Sequence, residues 1–320
     1  MRTTTAGSWF TLQSGGGVHD RLVPQRTSTR TTAGTCEDRV AGVAARFGLA
    51  LQPAVVVALC QYVHHVLRWN TRLNLTGPAD FETLIDRHLA DSLCVLATCD
   101  LPHGAAVADV GSGAGFPGVP MAIVRRDLAM TLIEATRKKA AFLEHMCNIL
   151  ELGNVVVRCE RAERLAHQPA FRSAFDIVVS RAAAPLLVAV ELCLPLCRLG
   201  GVTVYVKGPA VDAELSAAGD HIERLGGRVE STRTCFAPGG TRRTVIVLVR
   251  KHAPTPDEFP LSARERRVVH LALRDDRRVT TSSVGENDDR RVVVHPSEWR
   301  RGARPPGAPE DIDEDDSGDV

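Results

Sequence analysis

Between Val40 and Trp69 apolar residues recur mostly at three- and four-residue steps: Val40, Val43, Ala44 and Phe47, then Leu51, Val55, Leu59, Tyr62, Val63, Val66 and Trp69. That spacing gives a helix one apolar face, and Gly48 and Pro53 divide the stretch into at least two helices. Two polar insertions follow, W-N-T-R-L-N-L-T at 69–76 and R-H-L-A-D-S at 87–92. The second falls on a helix whose other face carries Leu84, Ile85 and Leu89, and it sets His88 and Asp91 three residues apart on one side. From Ala105 the pattern changes. Apolar runs of strand length at 106–110, 130–133, 155–157, 175–180 and 202–206 alternate with helical segments, which predicts a parallel sheet with crossover helices on both faces. Two longer runs, 227–236 and 244–249, are joined by a short segment containing A-P-G-G-T and no helix. They read as an antiparallel hairpin. Beyond Lys251 the periodicity fades; a short helix is expected at 262–273, and disorder after about residue 275, where little apolar surface offsets chain entropy.

The first strand runs directly into V-A-D-V-G-S-G-A-G-F-P-G-V-P, residues 107–120, with glycines at 111, 113, 115 and 118. Bare backbone there can approach a ligand, and the N–H groups opening the next helix point at it. A dinucleotide fingerprint is G-x-G-x-x-G, whereas here Phe116 and Pro117 stand where a diphosphate would need open backbone. The loop therefore looks like the first motif of S-adenosylmethionine (SAM) enzymes. Glu134, 23 residues after Gly111, ends the second strand run A-M-T-L-I-E. An acid at that place accepts hydrogen bonds from ribose hydroxyls, which NAD and SAM share, so it does not choose between them. The terminal hairpin does: a parallel sheet closed by an antiparallel pair is what class I methyltransferases show, and it leaves an NAD oxidoreductase a weak alternative.

Net charge is only +1, but it averages eleven arginines in 262–304 against seven acids in 310–319. The nine cysteines are odd in number, scattered and without a C-x-x-C pair. A zinc site or disulfide framework is therefore not expected, and a reducing cytoplasm is. The first 36 residues, rich in Thr, Ser, Gly and Arg, lack the apolar stretch of a secretory signal and are expected to be a disordered extension. The longest apolar stretch, 182–197, is broken by Pro185, Glu191 and Pro195, so no membrane segment is expected.

Several blocks fall in a fixed order: N-L-T at 74–76, R-H-L-A-D-S at 87–92, D-V-G-S-G-A-G-F-P-G-V-P at 109–120, E-A-T-R-K-K-A-A-F-L at 134–143, R-A-E at 161–163, F-D-I-V-V-S-R-A at 175–182 and V-K-G at 206–208. Together they resemble the GidB/RsmG family, the bacterial 16S ribosomal RNA guanine-N7 methyltransferases, from about Val55 to Lys251. The resemblance implies a class I SAM-dependent methyltransferase fold, a Rossmann-like parallel sheet with a terminal antiparallel hairpin, preceded by a small helical cap. The expected division is a 1–36 extension, a 37–103 helical cap, a 104–251 SAM-binding methyltransferase domain and a 252–320 charged, mostly disordered tail. It further implies cofactor contacts at Gly111, Gly113, Phe116, Glu134, Ala162 and Glu163, and places Arg181 near the methyl-transfer centre. The basic residues that usually follow the last strand arrive a few positions late here, within 255–267.

Guanine N7 carries an in-plane lone pair and attacks a sulfonium methyl without first losing a proton. No general base is needed, and none of the motifs for exocyclic-amine or cytosine-C5 methylation follows the 175–180 strand. Positioning is then the mechanism, with Arg181 and Lys207 as the candidate catalytic residues. Because N7 methylation leaves the ring cationic, Arg181 suits a phosphate, guanine O6 or the SAM carboxylate. Arg137, Lys138 and Lys139, with Arg161 and Lys207, are candidates for RNA phosphates. The alternative to each is a solvated face or a snorkelling side chain. Aromatics are 4% of residues, so recognition should rest on shape and phosphate; His64, His65, His145 and His221 read as surface or packing residues. The partner expected is 16S rRNA or the small ribosomal subunit, and a monomer suffices for this reading. Alternatives are a SAM-binding module on the ribosome without catalysis, and methylation of another substrate.

Overall fold

A computed structural model describes residues 35–181, 184–236, 243–261, 279–284 and 291–296. Helix α1 (Cys36–Arg46) opens on a capping box in which Thr35 and Asp38 satisfy each other's backbone N–H groups, and α2 (Pro53–Leu73) starts with proline at its first turn and ends at a left-handed Asn74. A third helix is built in sections: α3 (Phe81–Thr83), capped by Asp80, runs into a π-helical stretch, Leu84–Leu89, and continues as α4 (Ala90–Thr98). The alternating part then gives β1 (Ala106–Val110), α5 (Gly118–Val124), β2 (Ala129–Ile133), α6 (Arg137–Ile149), β3 (Val155–Arg158), α7 (Ala162–Leu165), β4 (Phe175–Arg181), α8 (Leu186–Cys193), β5 (Cys197–Lys207) and α9 (Val211–Arg224). The hairpin is β6 (Gly227–Phe236) with β7 (Arg243–Lys251).

Seven strands form one sheet in the order β3-β2-β1-β4-β5-β7-β6. The first five are parallel, and β7 pairs antiparallel with both β5 and β6. The class I methyltransferase fold expected from the pattern is thus present. Alternation along the strands divides the core in two. Val204, Val206, Ile246 and Leu248 join one apolar cluster with α1, α2, α4, α5 and α6, while Tyr205, Val245, Val247 and Val249 join the other with α7, α8 and α9. The helical cap therefore shares a core with one face of the sheet.

Four features depart from the sequence expectations. Strand β5 begins at Cys197 rather than near Val202. The packed body runs past Lys251: Phe259 and Thr255 are buried, and the Arg172 guanidinium donates to the carbonyls of Thr255, Pro256 and Phe259 at 2.9 Å each. Residues expected to be disordered after about 275 include a two-stranded antiparallel sheet, β8 (Val279–Val284) with β9 (Arg291–Pro296). Its signal was present in V-T-T-S-S-V and R-V-V-V-H-P around a Gly-, Asn- and Asp-containing connection, masked by the surrounding charge. Finally, disulfides join Cys36 to Cys60 and Cys94 to Cys235, against the expectation of none. The partners are 24 and 141 residues apart and meet only through packing of α1 on α2 and of α4 on the hairpin. Of the expected 1–36 extension, residues 1–34 lie outside the described residues, as does the helix expected at 262–273, while Thr35 and Cys36 open α1.

Candidate active site

The carboxyl ends of β1, β2, β4 and β5 share one edge of the sheet, since Val110 pairs with Ile133 and Arg181 with Val206. In an open α/β sheet this edge is where ligands bind. Beyond β1 the chain makes a glycine turn with φ of +74°, +58° and +99° at Gly111, Gly113 and Gly115, a conformation that side chains resist. Gly111 and Ser112 donate to the Ile133 carbonyl at 2.9 and 3.1 Å, so β2 fixes the turn. Glu134 lies beside it, buried, with one carboxylate oxygen accepting from Gly113 N–H and the other from Thr136 N–H, both at 2.8 Å. Each oxygen keeps a second lone pair for a hydroxyl.

Asp109 was not singled out in the sequence. It is fully buried under the loop; its Oδ2 accepts from Gly118 N–H at 3.1 Å, and its Oδ1 has no partner among the described residues. Burial pushes its carboxyl up to about 7, a rise that the Gly118 N–H and Arg181 oppose. A buried acceptor left open at the floor of a glycine turn fits a cationic ligand group, such as the ammonium of SAM. Together, Glu134 for hydroxyls, exposed turn backbone and Asp109 fit the cofactor.

Phe116 belongs to the cap interface. Its ring is buried 5.0 Å from Tyr62 and 5.3 Å from His88, with the Arg181 guanidinium over it at 5.6 Å, so backbone is what this residue offers a ligand. Tyr62 of α2 also donates its hydroxyl to the Ala114 carbonyl at 2.7 Å. The cap thus grips the glycine turn.

Arg181 ends β4, its side chain 12% exposed. Its charge meets Asp91 at 3.1 Å, and its other terminal nitrogen donates to His88 Nδ1. Thr244 of β7 donates to the other Asp91 oxygen at 2.7 Å. The R-H-L-A-D-S block therefore holds Arg181 in place, and the partner sought for its charge comes from the protein. Arg181 Nε is buried without a hydrogen-bond partner among the described residues.

Lys207 departs from its expected role. Its ammonium is turned inward, donating to the Ala184 carbonyl at 2.7 Å and pairing with Glu214 at 2.8 Å, while Glu214 also receives Leu186 N–H. It braces the segment that follows Arg181, so it is not free for RNA or the reacting atoms. Glu214, which the sequence reading missed, shares that task. Arg137 and Lys138 are exposed and Lys139 half-buried in the first turn of α6. Ala162 is buried and Arg161 and Glu163 are half-buried around the start of α7, after β3.

A family model described as GidB, rRNA small subunit methyltransferase G, matches residues 56–245. The chain belongs to the GidB family. As a GidB methyltransferase it takes its methyl group from SAM, in keeping with the turn, Glu134 and Asp109. Its relatives include proteins named ribosomal RNA small subunit methyltransferase G. That of Roseiflexus sp. (strain RS-1) is 40% identical over 73% of this chain and 100% of its own length. That of Roseiflexus castenholzii is 41% identical over 70% and 94%, and that of Symbiobacterium thermophilum 38% over 68% and 91%. A second family model, that of the R-3-H domain, matches residues 259–296 of the GidB chain. It falls within the segment, 252–320, read from sequence as a charged tail.

Proposed function

We propose that this GidB methyltransferase transfers the SAM methyl group to N7 of one guanine in 16S ribosomal RNA. The observation that carries the choice of atom is that the candidate bases around Arg181 are engaged in holding that side chain rather than aimed at a substrate proton. His88 Nδ1 and both Asp91 oxygens already accept hydrogen bonds from Arg181 and Thr244, and Asp109 lies beneath the glycine turn. Exocyclic amines and hydroxyls must surrender a proton; N7 need not. SAM, when bound, supplies the electrophilic methyl. The chain's own residues do the positioning: the glycine turn and Glu134 hold the nucleoside, Asp109 the aminoacyl ammonium, and Ala162 and Glu163 border the adenine. Arg181, oriented by Asp91 and His88 at the end of β4, anchors the guanine or its phosphate. Holding N7 in line with the methyl supplies several kcal/mol of the acceleration. Arg137, Lys138, Lys139 and Arg161 contact RNA phosphates, and the segment at 259–296 is a second RNA contact. No helix of the described residues is long and apolar enough to cross a membrane, and the cytoplasm, where ribosomes are, is the compartment of this reading.

The test is incubation of the protein with tritiated SAM and small ribosomal subunits from a strain lacking this gene, followed by nuclease digestion. Label should appear in 7-methylguanosine. Label in another nucleoside would replace the chemistry while keeping the fold, and SAM binding without any label would remove the catalytic reading.

A further inference from the structure

Helix α2 carries no Asp or Glu in its 21 residues, and α6 carries one acid, Glu144, against Arg137, Lys138 and Lys139. A helix start favours acids, because its free N–H groups already make that end positive; three cations there work against the macrodipole. The two helices meet side by side. Trp69 of α2 lies 6.1 Å from Phe142 and 5.5 Å from His145 of α6, and His65 lies 6.3 Å from His145. Arg68 and Arg72 follow His65 at the helical steps of three and seven on α2, and Lys138 precedes Phe142 by one turn on α6. Arg68, Arg72, Arg137 and Lys138 are exposed, and none is paired with a carboxylate among the described residues. The imidazole of His65 registers this crowding: burial first, then the positive charges of His145, Arg68 and His64, hold it below its ordinary value.

The same helices floor the cofactor site. A Cβ on Gly115 would stand 3.0 Å from the Tyr62 hydroxyl of α2 and 3.0 Å from Leu143 of α6, so the glycine turn rests on both. A basic face beginning at the methyl-donor loop and extending over two acid-poor helices complements an RNA backbone.

We propose that the exposed face shared by α2 and α6 is the track on which the phosphate backbone of the substrate rRNA lies, with Arg68 and Arg72 as phosphate contacts beside Arg137 and Lys138. This rests on the rRNA reading of the active site. The face adds a second helix to the contacts, places them on the cap, and runs the RNA from the cap toward the glycine turn.

The experiment uses the full-length protein with Arg68→Ala/Arg72→Ala, two exposed side chains whose removal opens no cavity, and Arg68→Lys/Arg72→Lys as the charge-keeping control. Binding to 16S rRNA is measured by filter retention across a salt series, SAM binding by calorimetry, and methylation separately. Loss of two phosphate contacts should lower the slope of log affinity against log salt by about 1.8 and weaken RNA binding roughly tenfold at about 150 mM salt. SAM affinity should stay unchanged and the lysine variant should restore most of the binding. Unchanged RNA affinity and slope in the alanine variant would overturn the proposal, as would an equal loss of SAM affinity, which would mark the arginines as structural. Absence of methylation by the wild-type protein would strike the active-site reading instead, and the binding data would still decide the face.

Discussion

Asp109 shows how one side chain can tie stability to pH at this site. With no exposure and one oxygen unpartnered, its carboxyl titrates near 7 in the folded protein, against 3.8 for the free group. A raised folded value means that the native state holds the proton more tightly than the unfolded chain. The contribution to stability is therefore complete below about pH 4 and is lost as pH rises through 7. About three units correspond to an effect on the order of 4 kcal/mol. Asp109→Asn stays neutral, so its melting temperature without SAM should gain on the wild-type value from about pH 4 to about pH 7 and level off above that. His65 works in the opposite sense below 6.5, and Lys251, pushed down to about 8 by burial, works above 8; the variant-minus-wild-type difference cancels both. A difference independent of pH, followed by thermal denaturation, would show that Asp109 is ionised in the folded state. The aspartate was visible in the sequence as the end of a strand. Its buried, half-satisfied state was not, because that depends on Gly118 returning over it nine residues later.

Among the elements, α2 carries the most consequence for the cofactor. Its periodic apolar face was legible from Val55 to Trp69, and so was its start at Pro53, because those signals are local; its last turn was not, since 69–76 reads as a polar insertion while the helix runs to Leu73. What the pattern could not reveal is that Tyr62, one apolar position among many, ends in a hydroxyl bonded to a carbonyl 52 residues on. Strand bounds were likewise legible where apolar runs are bracketed by turns. The cysteine pairs were not, since the crossing of α4 over the hairpin brings Cys94 to Cys235 and no local spacing encodes it. Tyr62→Phe keeps the ring packed against Phe116 and removes only the bond to Ala114, leaving a buried carbonyl unpaired. The cost should be about 1–3 kcal/mol, part of it felt as a looser glycine turn. We expect the KM for SAM to rise about three- to tenfold with kcat changed less than about twofold, checked by steady-state kinetics and calorimetric SAM binding. Equal SAM affinity in the two proteins would mean that the turn holds its shape without the cap.

At the scale of the whole molecule, the packed methyltransferase body continues about ten residues past the fading of strand periodicity, reaching Leu261 rather than stopping at Lys251. Thr255 donates to the Leu225 carbonyl at 2.8 Å, Leu261 N–H to Glu191 at 2.8 Å, and His167 lies 2.9 Å from the Pro260 carbonyl. Phe259 is buried 5.7 Å from His221 and beneath Arg224 at 5.1 Å. This segment lacks period because it is an irregular strap whose side chains seat one at a time, so only the lone Phe259 signals it in the sequence. Ending the chain after Lys251 removes a buried aromatic side chain, worth about 3–5 kcal/mol, and strips three acceptors from the half-buried Arg172. The melting temperature should fall by more than about 10 °C, at roughly 2–4 °C per kcal/mol for a body of this size. Ending it after Leu261 keeps every one of these contacts while deleting nearly all of the segment at 259–296 and its arginines. That protein should melt within about 3 °C of the full chain and bind SAM equally, yet require more rRNA for half-maximal rate, with the gap widening as salt rises. Thermal denaturation of the two truncations separates strap from tail. Equal melting of both would place the strap outside the folding unit, and an unchanged rRNA requirement in the longer one would leave substrate binding to the active-site edge and the α2–α6 face alone.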